Sequence, residues 1–195
     1  PYGYQGEELG MTNAHYNDIS QYRDVESLNY YKILLDQGKT KEQALKVLAA
    51  RSRDNSRTPM QWSDDKNAGF TEGTPWIEAP ENYKEINAET ELKDPDSIYS
   101  FYKKLIALRK EKDIIAEETI EFLEKENADV LAYRRNYQGE ELIVLNNLTA
   151  ENVTIRQQPE WKVYQKRLGN YEKITAEDGK ITLRQFETIV LDSAL

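Results

Sequence analysis

The 195-residue chain contains no cysteine, a single histidine and no long run of apolar residues. Without cysteine there is no disulfide framework, no thiolate nucleophile and no cysteine-ligated zinc site. No apolar stretch is long enough for a membrane-spanning helix, and no signal sequence is visible. The histidine, His15, lies in a polar loop, where a solvated or structural role is commoner than catalysis. We therefore expect a cytoplasmic protein with neither a metal site nor a cofactor.

Positive charge and apolar residues are also scarce. The net charge of −9 argues against nucleic acid and against an anionic membrane surface as partners. A phosphorylated ligand would need a local basic pocket, which the total charge cannot reveal. Apolar residues make up 38% of the chain even with tyrosine included, against about 45–50% in a typical globular domain. That fraction is low for a domain that builds its core alone.

The most distinctive segment is residues 53–62, which read RDNSRTPMQW. Arginine and aspartate side chains form charge-assisted hydrogen bonds that can fork onto neighbouring hydroxyl groups, and the indole of Trp62 can stack on a sugar face. Pro59 prevents a helix from continuing through the segment, so we expect an irregular loop. Such a loop suits a polyhydroxylated ligand, and a salt-bridged surface loop is the alternative interpretation.

Three further motifs accompany this loop: YQGEELGMTN at 4–13, YRDVESLN at 22–29 and NAGFTEGTPW at 67–76. In this order and at this spacing, the four motifs resemble the last part of α-glucosidases of the α-amylase family, glycoside hydrolase family 13. The wording of RDVESLN and SRDNSRTPMQW is most similar to the trehalose-6-phosphate hydrolases of that family. Oligo-1,6-glucosidases and dextran glucosidases are near relatives.

The resemblance implies an α/β plus all-β fold: the last strand and helices of a (β/α)₈ TIM barrel, followed by a C-terminal antiparallel β-sandwich. It also implies that the aspartate nucleophile, the glutamate acid/base and a second, stabilising aspartate lie on earlier barrel strands. We therefore expect a C-terminal fragment without catalytic residues of its own. Glu7 and Glu8 do not replace them, because adjacent residues on the predicted opening strand point to opposite faces. Retaining hydrolysis needs two carboxyl groups about 5–5.5 Å apart.

Two residues are expected to bind substrate because they match the family motifs. Arg53 matches an arginine that hydrogen-bonds the glucose in the −1 subsite, and Glu26 matches a glutamate that lines the active-site entrance. For Glu26, an ion pair with a nearby arginine is an equally good interpretation. Asp54 and Arg57 are expected to support the loop rather than touch the ligand.

Helical patterns occupy residues 1–114, which we assign to the barrel portion. One apolar stripe ends at Gly38, a C-terminal cap, and Thr40 with Gln43 predicts a capping box for the next helix. A longer helix is predicted to begin with Asp94 as N-cap and Pro95 in the first turn. Its buried face should carry Ile98, Phe101, Tyr102, Leu105, Ile106 and Leu108.

Strand patterns occupy residues 115–195, which we assign to the β-sandwich domain. The dipeptide Gln138-Gly139 suits a tight hairpin between two long strands. Short strands at this spacing are typical of an antiparallel sandwich or barrel. The predicted strands are 119–123, 130–137, 140–148, 161–168, 181–184 and 187–191.

Two functions are compatible with these patterns. In the first, the chain joins the remainder of a TIM barrel that cleaves an α-glucosidic disaccharide or its phosphate. In the second, the sandwich is a non-catalytic carbohydrate-binding module, which would need an exposed aromatic platform. The candidates for that platform, most of them expected in the core, are Tyr133, Tyr137, Trp161, Tyr164 and Tyr171.

Overall fold

The computed structural model describes residues 3–117 and 119–193. It divides into two compact units, Pro1–Ser100 and Phe101–Leu195. The domain boundary at residue 114 that the sequence suggested stays a prediction.

The first unit is built from helices and short turns. Its α-helices are α1 (Val25–Asp36), α2 (Lys41–Arg51) and α3 (Ala88–Lys93). Short 3-10 helices occupy Glu7–Leu9, Ile19–Gln21, Arg53–Ser56, Lys66–Gly69 and Glu81–Lys84.

Helices α1 and α2 form a hairpin whose ends follow the predicted capping signals. Gly38 has a φ of 83° just after α1, a conformation that glycine adopts without strain. Thr40 and Gln43 form the predicted capping box at the start of α2. The two helices pack against the loop before them and against Ile77, which follows them in the chain. The buried residues of this core are Tyr16, Tyr22, Tyr31, Leu34, Ala44, Leu48 and Ile77. This packing holds the end of α2, and the loop that follows it, beside the start of α1.

The part of the predicted opening strand that lies within the described residues is not formed. Residues 1–2 lie outside the described residues, and residues 3–4 are not part of a strand. Gly6 has a φ of 90°, and its backbone N–H donates to Glu8 Oε2 over 2.9 Å. The chain therefore turns into the 3-10 helix Glu7–Leu9, so the assignment of Glu7 and Glu8 to a strand end is wrong.

The helix predicted from Asp94 begins later, as α4 (Ile98–Glu111). Ser97 Oγ accepts a hydrogen bond from Ser100 N over 3.1 Å, which is the bond that an N-cap residue makes. Asp94 Oδ1 instead accepts from Asp96 N in the turn before the helix. The prediction of Asp94 as N-cap is wrong because two capping side chains follow one another and the second one is used.

The predicted apolar face of α4 is only partly covered. Phe101 and Leu108 pack against the core of the second unit. Ile98, Leu105 and Ile106 are 47%, 37% and 51% exposed. No residue of α4 is fully buried in the described chain, so the expectation of a buried face is wrong for half of the stripe.

The second unit contains a five-stranded and a three-stranded antiparallel sheet. The strands are β1 (Glu121–Leu123), β2 (Val130–Tyr137), β3 (Glu140–Asn147), β4 (Val153–Arg156), β5 (Gln165–Gly169), β6 (Thr175–Glu177), β7 (Lys180–Leu183) and β8 (Thr188–Asp192). Their order is β1-β2-β3-β8-β5 in one sheet and β4-β7-β6 in the other. A short helix, α5 (Ile114–Glu117), precedes them.

Most of the predicted strands are confirmed. Gln138 and Gly139 both have positive φ, as a two-residue type I′ hairpin requires. The strand predicted at 161–168 begins only at Gln165, because Pro159 opens a 3-10 helix that contains Trp161. The sequence interpretation missed β4 and β6.

The two sheets pack face to face, as the prediction of a sandwich requires. Ile143, Leu145 and Leu191 of the larger sheet join Ile155 and Ile181 of the smaller sheet in one buried cluster. The other face of the larger sheet packs against α5 and part of α4. Strand β3 is therefore buried on both faces, which explains its unbroken apolar run of residues 142–145.

Replacing Leu145 with alanine should destabilise the second unit. Leu145 is 0% exposed between the two sheets, and truncating such a leucine costs about 2–5 kcal/mol of unfolding free energy. The matched control is Leu148→Ala, because Leu148 is 57% exposed and should change that free energy by less than about 0.5 kcal/mol. Urea denaturation followed by circular dichroism measures both. Equal effects of the two substitutions would contradict the assignment of β3 as the centre of the core.

Candidate functional site

The structure brings together the two residues that were predicted to bind substrate. Arg53 Nη2 lies 2.8 Å from Glu26 Oε2, and the two side chains are 64% and 69% exposed. Arg53 opens the 3-10 helix that follows α2, and Glu26 lies in the first turn of α1. Glu26 thus forms the ion pair that was its alternative interpretation. The role of both residues in substrate binding stays a prediction.

A buried carboxylate next to Arg53 fixes the loop to the start of α1. Asp54 is fully buried. Its Oδ2 accepts hydrogen bonds from the backbone N–H of Arg23 over 2.7 Å and of Asp24 over 2.9 Å. Arg57 Nη1 lies 3.5 Å from Asp54 Oδ1. Asp54 and Arg57 therefore support the loop, as expected.

A second set of buried polar groups connects α1 to the end of α2. Asp24 Oδ2 accepts from Ser27 N over 3.0 Å and caps α1. Ser27 Oγ lies 2.9 Å from Asp24 Oδ2 and 2.9 Å from Ser52 Oγ. Ser52 Oγ accepts in turn from Asp54 N over 3.2 Å. Because these groups satisfy one another away from water, they hold the loop and the helix in one geometry.

The carboxyl group of Asp24 stays ionised in this setting. Burial by itself would raise the pKa of Asp24, but the hydrogen bonds from Ser27 and the positive charges of Arg57 and Arg53 outweigh it. The pKa of Asp24 therefore lies below its usual value.

A cavity of about 490 Å³ lies beside the ion pair. This volume falls within the roughly 300–1,000 Å³ of small-molecule sites. Its walls come from α1, the second half of α2 and the start of the loop. The lining residues are Asp24, Glu26, Ser27, Tyr30, Val47, Leu48, Arg51, Ser52 and Arg53.

The sequence interpretation missed Tyr30 and Arg51 as lining residues. Tyr30 lies on α1 just beyond the motif that contains Glu26, and Arg51 is the last residue of α2. A basic residue in the last turn of a helix is ordinarily explained by the helix dipole. The one sequence feature that could have indicated Arg51 as a lining residue was its position two residues before Arg53.

Other candidates lie elsewhere. Trp62 is 52% exposed and does not line this cavity. His15 is exposed in a loop that lines a separate cavity of about 320 Å³. Within residues 3–117 and 119–193, no three histidine, aspartate or glutamate side chains converge as metal ligands.

The five candidate aromatic residues of the sandwich do not form an exposed platform. Trp161 is 5% exposed in the core between the sheets. The four tyrosines of the candidate set are partly buried, and Tyr164 donates to Glu141 Oε1 over 2.9 Å. Burial, together with this carboxylate, raises the pKa of Tyr164 to about 12. A flat sugar-stacking surface is therefore absent from these five residues.

Residues 1–118 match the family described as "Alpha amylase, catalytic domain". The chain belongs to the α-amylase family. Residues 130–190 match the "Alpha-amylase SusG C-terminal domain". These matches bear out the predicted fold class, the closing part of a TIM barrel followed by an antiparallel β-sandwich.

Individual relatives show which members of the α-amylase family this chain is similar to. The trehalose-6-phosphate hydrolase of Bacillus subtilis is 47% identical over 97% of this chain and 34% of its own length. The oligo-1,6-glucosidase of Parageobacillus thermoglucosidasius is 43% identical over 97% of this chain and 34% of its own length. The crystal structure of Bacillus licheniformis trehalose-6-phosphate hydrolase superposes with a TM-score of 0.93 at 46% identity, covering 98% of this chain and 35% of that one. The chain thus spans about one third of these α-amylase family relatives.

No helix among the described residues has the length and apolar character needed to cross a membrane. The predicted cytoplasmic location stays a prediction.

The ionised Asp24 should make the first unit sensitive to acid. Because the pKa of Asp24 is lowered in the folded state, its stabilising contribution is present above the unfolded-state pKa of about 3.9. It is lost as the pH falls through the lower, folded-state pKa. We expect Asp24→Asn to reduce the free energy of unfolding at pH 7 by about 1–3 kcal/mol, and to reduce it less at pH 3.

Denaturant titrations at both pH values measure this difference. The matched control is Asp36→Asn, at the exposed end of the same helix, which should change the free energy of unfolding by less than about 0.5 kcal/mol at either pH. A loss from Asp24→Asn that is equally large at pH 7 and pH 3 would show that the charge of Asp24 is not what stabilises the loop.

Proposed function

We propose that this chain contributes one wall of the sugar-binding site of a retaining α-glucosidase. In this proposal the whole protein hydrolyses trehalose 6-phosphate to glucose and glucose 6-phosphate. The observation that carries it is the Arg53–Glu26 pair beside the 490 Å³ cavity, in an α-amylase family chain whose relatives include trehalose-6-phosphate hydrolases.

The geometry of Arg53 suits a sugar ligand. The carboxylate of Glu26 forms an ion pair with one terminal nitrogen, Nη2, of the Arg53 guanidinium group. The other N–H donors of this side chain have no partner among the described residues, so they are available to two adjacent hydroxyl groups. A planar guanidinium that a carboxylate already orients loses little freedom when it binds such a pair.

The reacting carboxyl groups are assigned to the remainder of the barrel. The chain spans about one third of its relatives, which leaves ample polypeptide for the nucleophile, the acid/base and the stabilising aspartate. Residues 1–114 would then complete the catalytic barrel, and residues 115–195 would form the sandwich domain. On its own, the chain is expected to turn over no α-glucoside.

An oligo-1,6-glucosidase is the second candidate, because relatives of that name are 42% and 43% identical to this chain. A dextran glucosidase is a variant of this second candidate function. The two candidates differ in linkage and in the phosphate group, both of which a substrate comparison tests.

The full-length protein should prefer trehalose 6-phosphate to isomaltose. Competition between the two substrates, with glucose 6-phosphate release and total glucose release measured separately, gives the ratio of the kcat/KM values. We expect this ratio to exceed roughly tenfold, since a charge-assisted contact to a phosphate contributes on that scale. A preference for isomaltose would replace the proposed substrate with that of an oligo-1,6-glucosidase.

Replacing Arg53 with alanine in the full-length protein should lower kcat/KM by at least an order of magnitude. The reason is that a bidentate, charge-assisted contact to the reacting sugar would be lost. The matched control is Arg156→Ala, because Arg156 is an exposed arginine on β4 of the sandwich. Thermal unfolding should be unchanged in both variants, since exposed ion pairs contribute little stability. An unchanged kcat/KM in Arg53→Ala would show that Arg53 only braces its loop.

A further inference from the structure

Two contacts lie side by side where the start of α1 meets the end of α2. Ser27 Oγ and Ser52 Oγ are 2.9 Å apart, and both serines are buried. Glu26 precedes Ser27 in the sequence and Arg53 follows Ser52, and these two neighbours form the exposed ion pair at 2.8 Å. A buried pair of hydroxyl groups therefore accompanies the exposed ion pair, and all four residues line the 490 Å³ cavity.

Both backbone polar groups of Ser52 and its hydroxyl oxygen have partners. The backbone N–H donates to Leu48 O over 2.8 Å at the end of α2, and the carbonyl oxygen accepts from Asn55 N over 3.2 Å. The hydroxyl oxygen accepts from Asp54 N over 3.2 Å. A residue that is held through its backbone and its side chain at once has little conformational freedom. The direction in which the chain continues to Arg53 is therefore fixed.

The hydroxyl protons of the serine pair have one consistent arrangement. Ser27 Oγ lies 2.9 Å from Asp24 Oδ2 and 2.9 Å from Ser52 Oγ, but a hydroxyl group has a single proton to donate. The ionised carboxylate of Asp24 can only accept, so it takes the proton of Ser27, and Ser52 donates to Ser27. Ser52 therefore donates one hydrogen bond to α1 and accepts another from the loop.

The ion pair between Arg53 and Glu26 is too weak to fix its own geometry. The two side chains are 64% and 69% exposed, and an exposed ion pair gains little because water screens it and side-chain freedom is lost. Hydrogen bonds between buried groups are electrostatically stronger. The position of Arg53 relative to α1 therefore depends on the buried serine pair more than on the ion pair itself.

We propose that Ser52 is a positioning residue, whose hydroxyl group holds Arg53 in register with Glu26 and so aims the guanidinium group at the sugar of the bound substrate. This inference rests on the proposed function and deepens it. Ser52 touches no reacting atom in this assignment and acts only through Arg53. A displacement of about 1 Å in a group that positions a substrate can lower the rate on the order of a hundredfold, so a single hydroxyl group is enough to matter.

The test is a double-mutant cycle in the full-length protein, with p-nitrophenyl α-glucoside as the substrate. The value of kcat/KM is measured for the unaltered protein, for Ser52→Ala, for Arg53→Ala and for the double variant. We expect Ser52→Ala to lower kcat/KM roughly tenfold when Arg53 is present, and less than about twofold when Arg53 is already alanine. A general loss of stability would not produce an effect that vanishes together with Arg53.

The matched control is Ser97→Ala in the same unit. Ser97 is also buried, and its Oγ donates to Glu91 O over 2.7 Å and accepts from Ser100 N over 3.1 Å. Its substitution should lower Tm, as Ser52→Ala should, because each removes a buried and hydrogen-bonded hydroxyl group. It should leave kcat/KM within about twofold of the unaltered value.

Two further measurements keep the inference testable if Ser52→Ala folds poorly. Ser27→Ala removes the other hydroxyl group of the pair and should reproduce the pattern of the cycle. A crystal structure of either variant shows the ion pair directly, and we expect the Arg53–Glu26 separation to exceed the ion-pair limit of about 4 Å. An ion pair that stays at 2.8 Å would overturn the inference, and so would an equal loss of kcat/KM with and without Arg53.

This inference and the proposed function fail on different measurements. A full-length protein that prefers isomaltose to trehalose 6-phosphate contradicts the proposed substrate, and the cycle does not depend on that preference because its substrate contains neither linkage. An unchanged kcat/KM in Arg53→Ala contradicts the proposed role of Arg53 and, with it, this inference. A large loss in Arg53→Ala, combined with an equal effect of Ser52→Ala in both backgrounds, contradicts the role of Ser52 alone.

Discussion

The geometry of the candidate site depends on the buried carboxylate of Asp54. One of its oxygens accepts two backbone N–H groups from the segment that leads into α1. A carboxylate removed from water is costly unless charge-assisted hydrogen bonds compensate it. The two N–H groups compensate Oδ2 only if the loop after α2 lies directly against the start of α1. The other oxygen, Oδ1, accepts no hydrogen bond among the described residues and lies 3.5 Å from Arg57 Nη1. The requirement to satisfy Asp54 therefore determines where the neighbouring residue, Arg53, emerges from the fold.

The exposed Arg53–Glu26 pair follows from this scaffold rather than producing it. Two side chains that are more than half exposed contribute about 0–1 kcal/mol at most through their ion pair. The buried polar groups beneath them contribute through satisfied hydrogen bonds in a low-dielectric environment. Stability and the proposed ligand recognition are thus assigned to adjacent residues, since Asp54 is buried and the side chain of Arg53 is exposed. This division explains why a motif with so many polar side chains contains both buried and exposed members.

Local signals predicted the parts of the fold in which a single feature determines the structure. The capping box of Thr40 with Gln43, and the hairpin at Gln138-Gly139, each require conformations that few other residues provide. Predictions failed where two local signals compete. Asp94 and Ser97 are both good caps, and only the tertiary position of the chain selects Ser97.

Some residues of the candidate site could be predicted from the sequence and others could not. Motif resemblance identified Arg53 and Glu26, because their residue types stand in a long and specific pattern. It could not identify Tyr30 and Arg51, which become cavity residues only because two helices pack at a particular angle and register. Helix periodicity predicts which residues share a face, but not which faces of two helices enclose a space.

Net charge is a poor guide to what such a cavity binds. The chain carries an excess of acidic residues, yet both carboxylates that line the cavity already interact with cations, Glu26 with Arg53 and Asp24 with Arg57. Asp24 also caps α1, so its charge is committed to the fold. Charges at a separation greater than about 8–10 Å are largely screened at physiological ionic strength. The electrostatic character of the cavity is therefore set by the residues that line it, where two carboxylates, Asp24 and Glu26, accompany two guanidinium groups, Arg51 and Arg53.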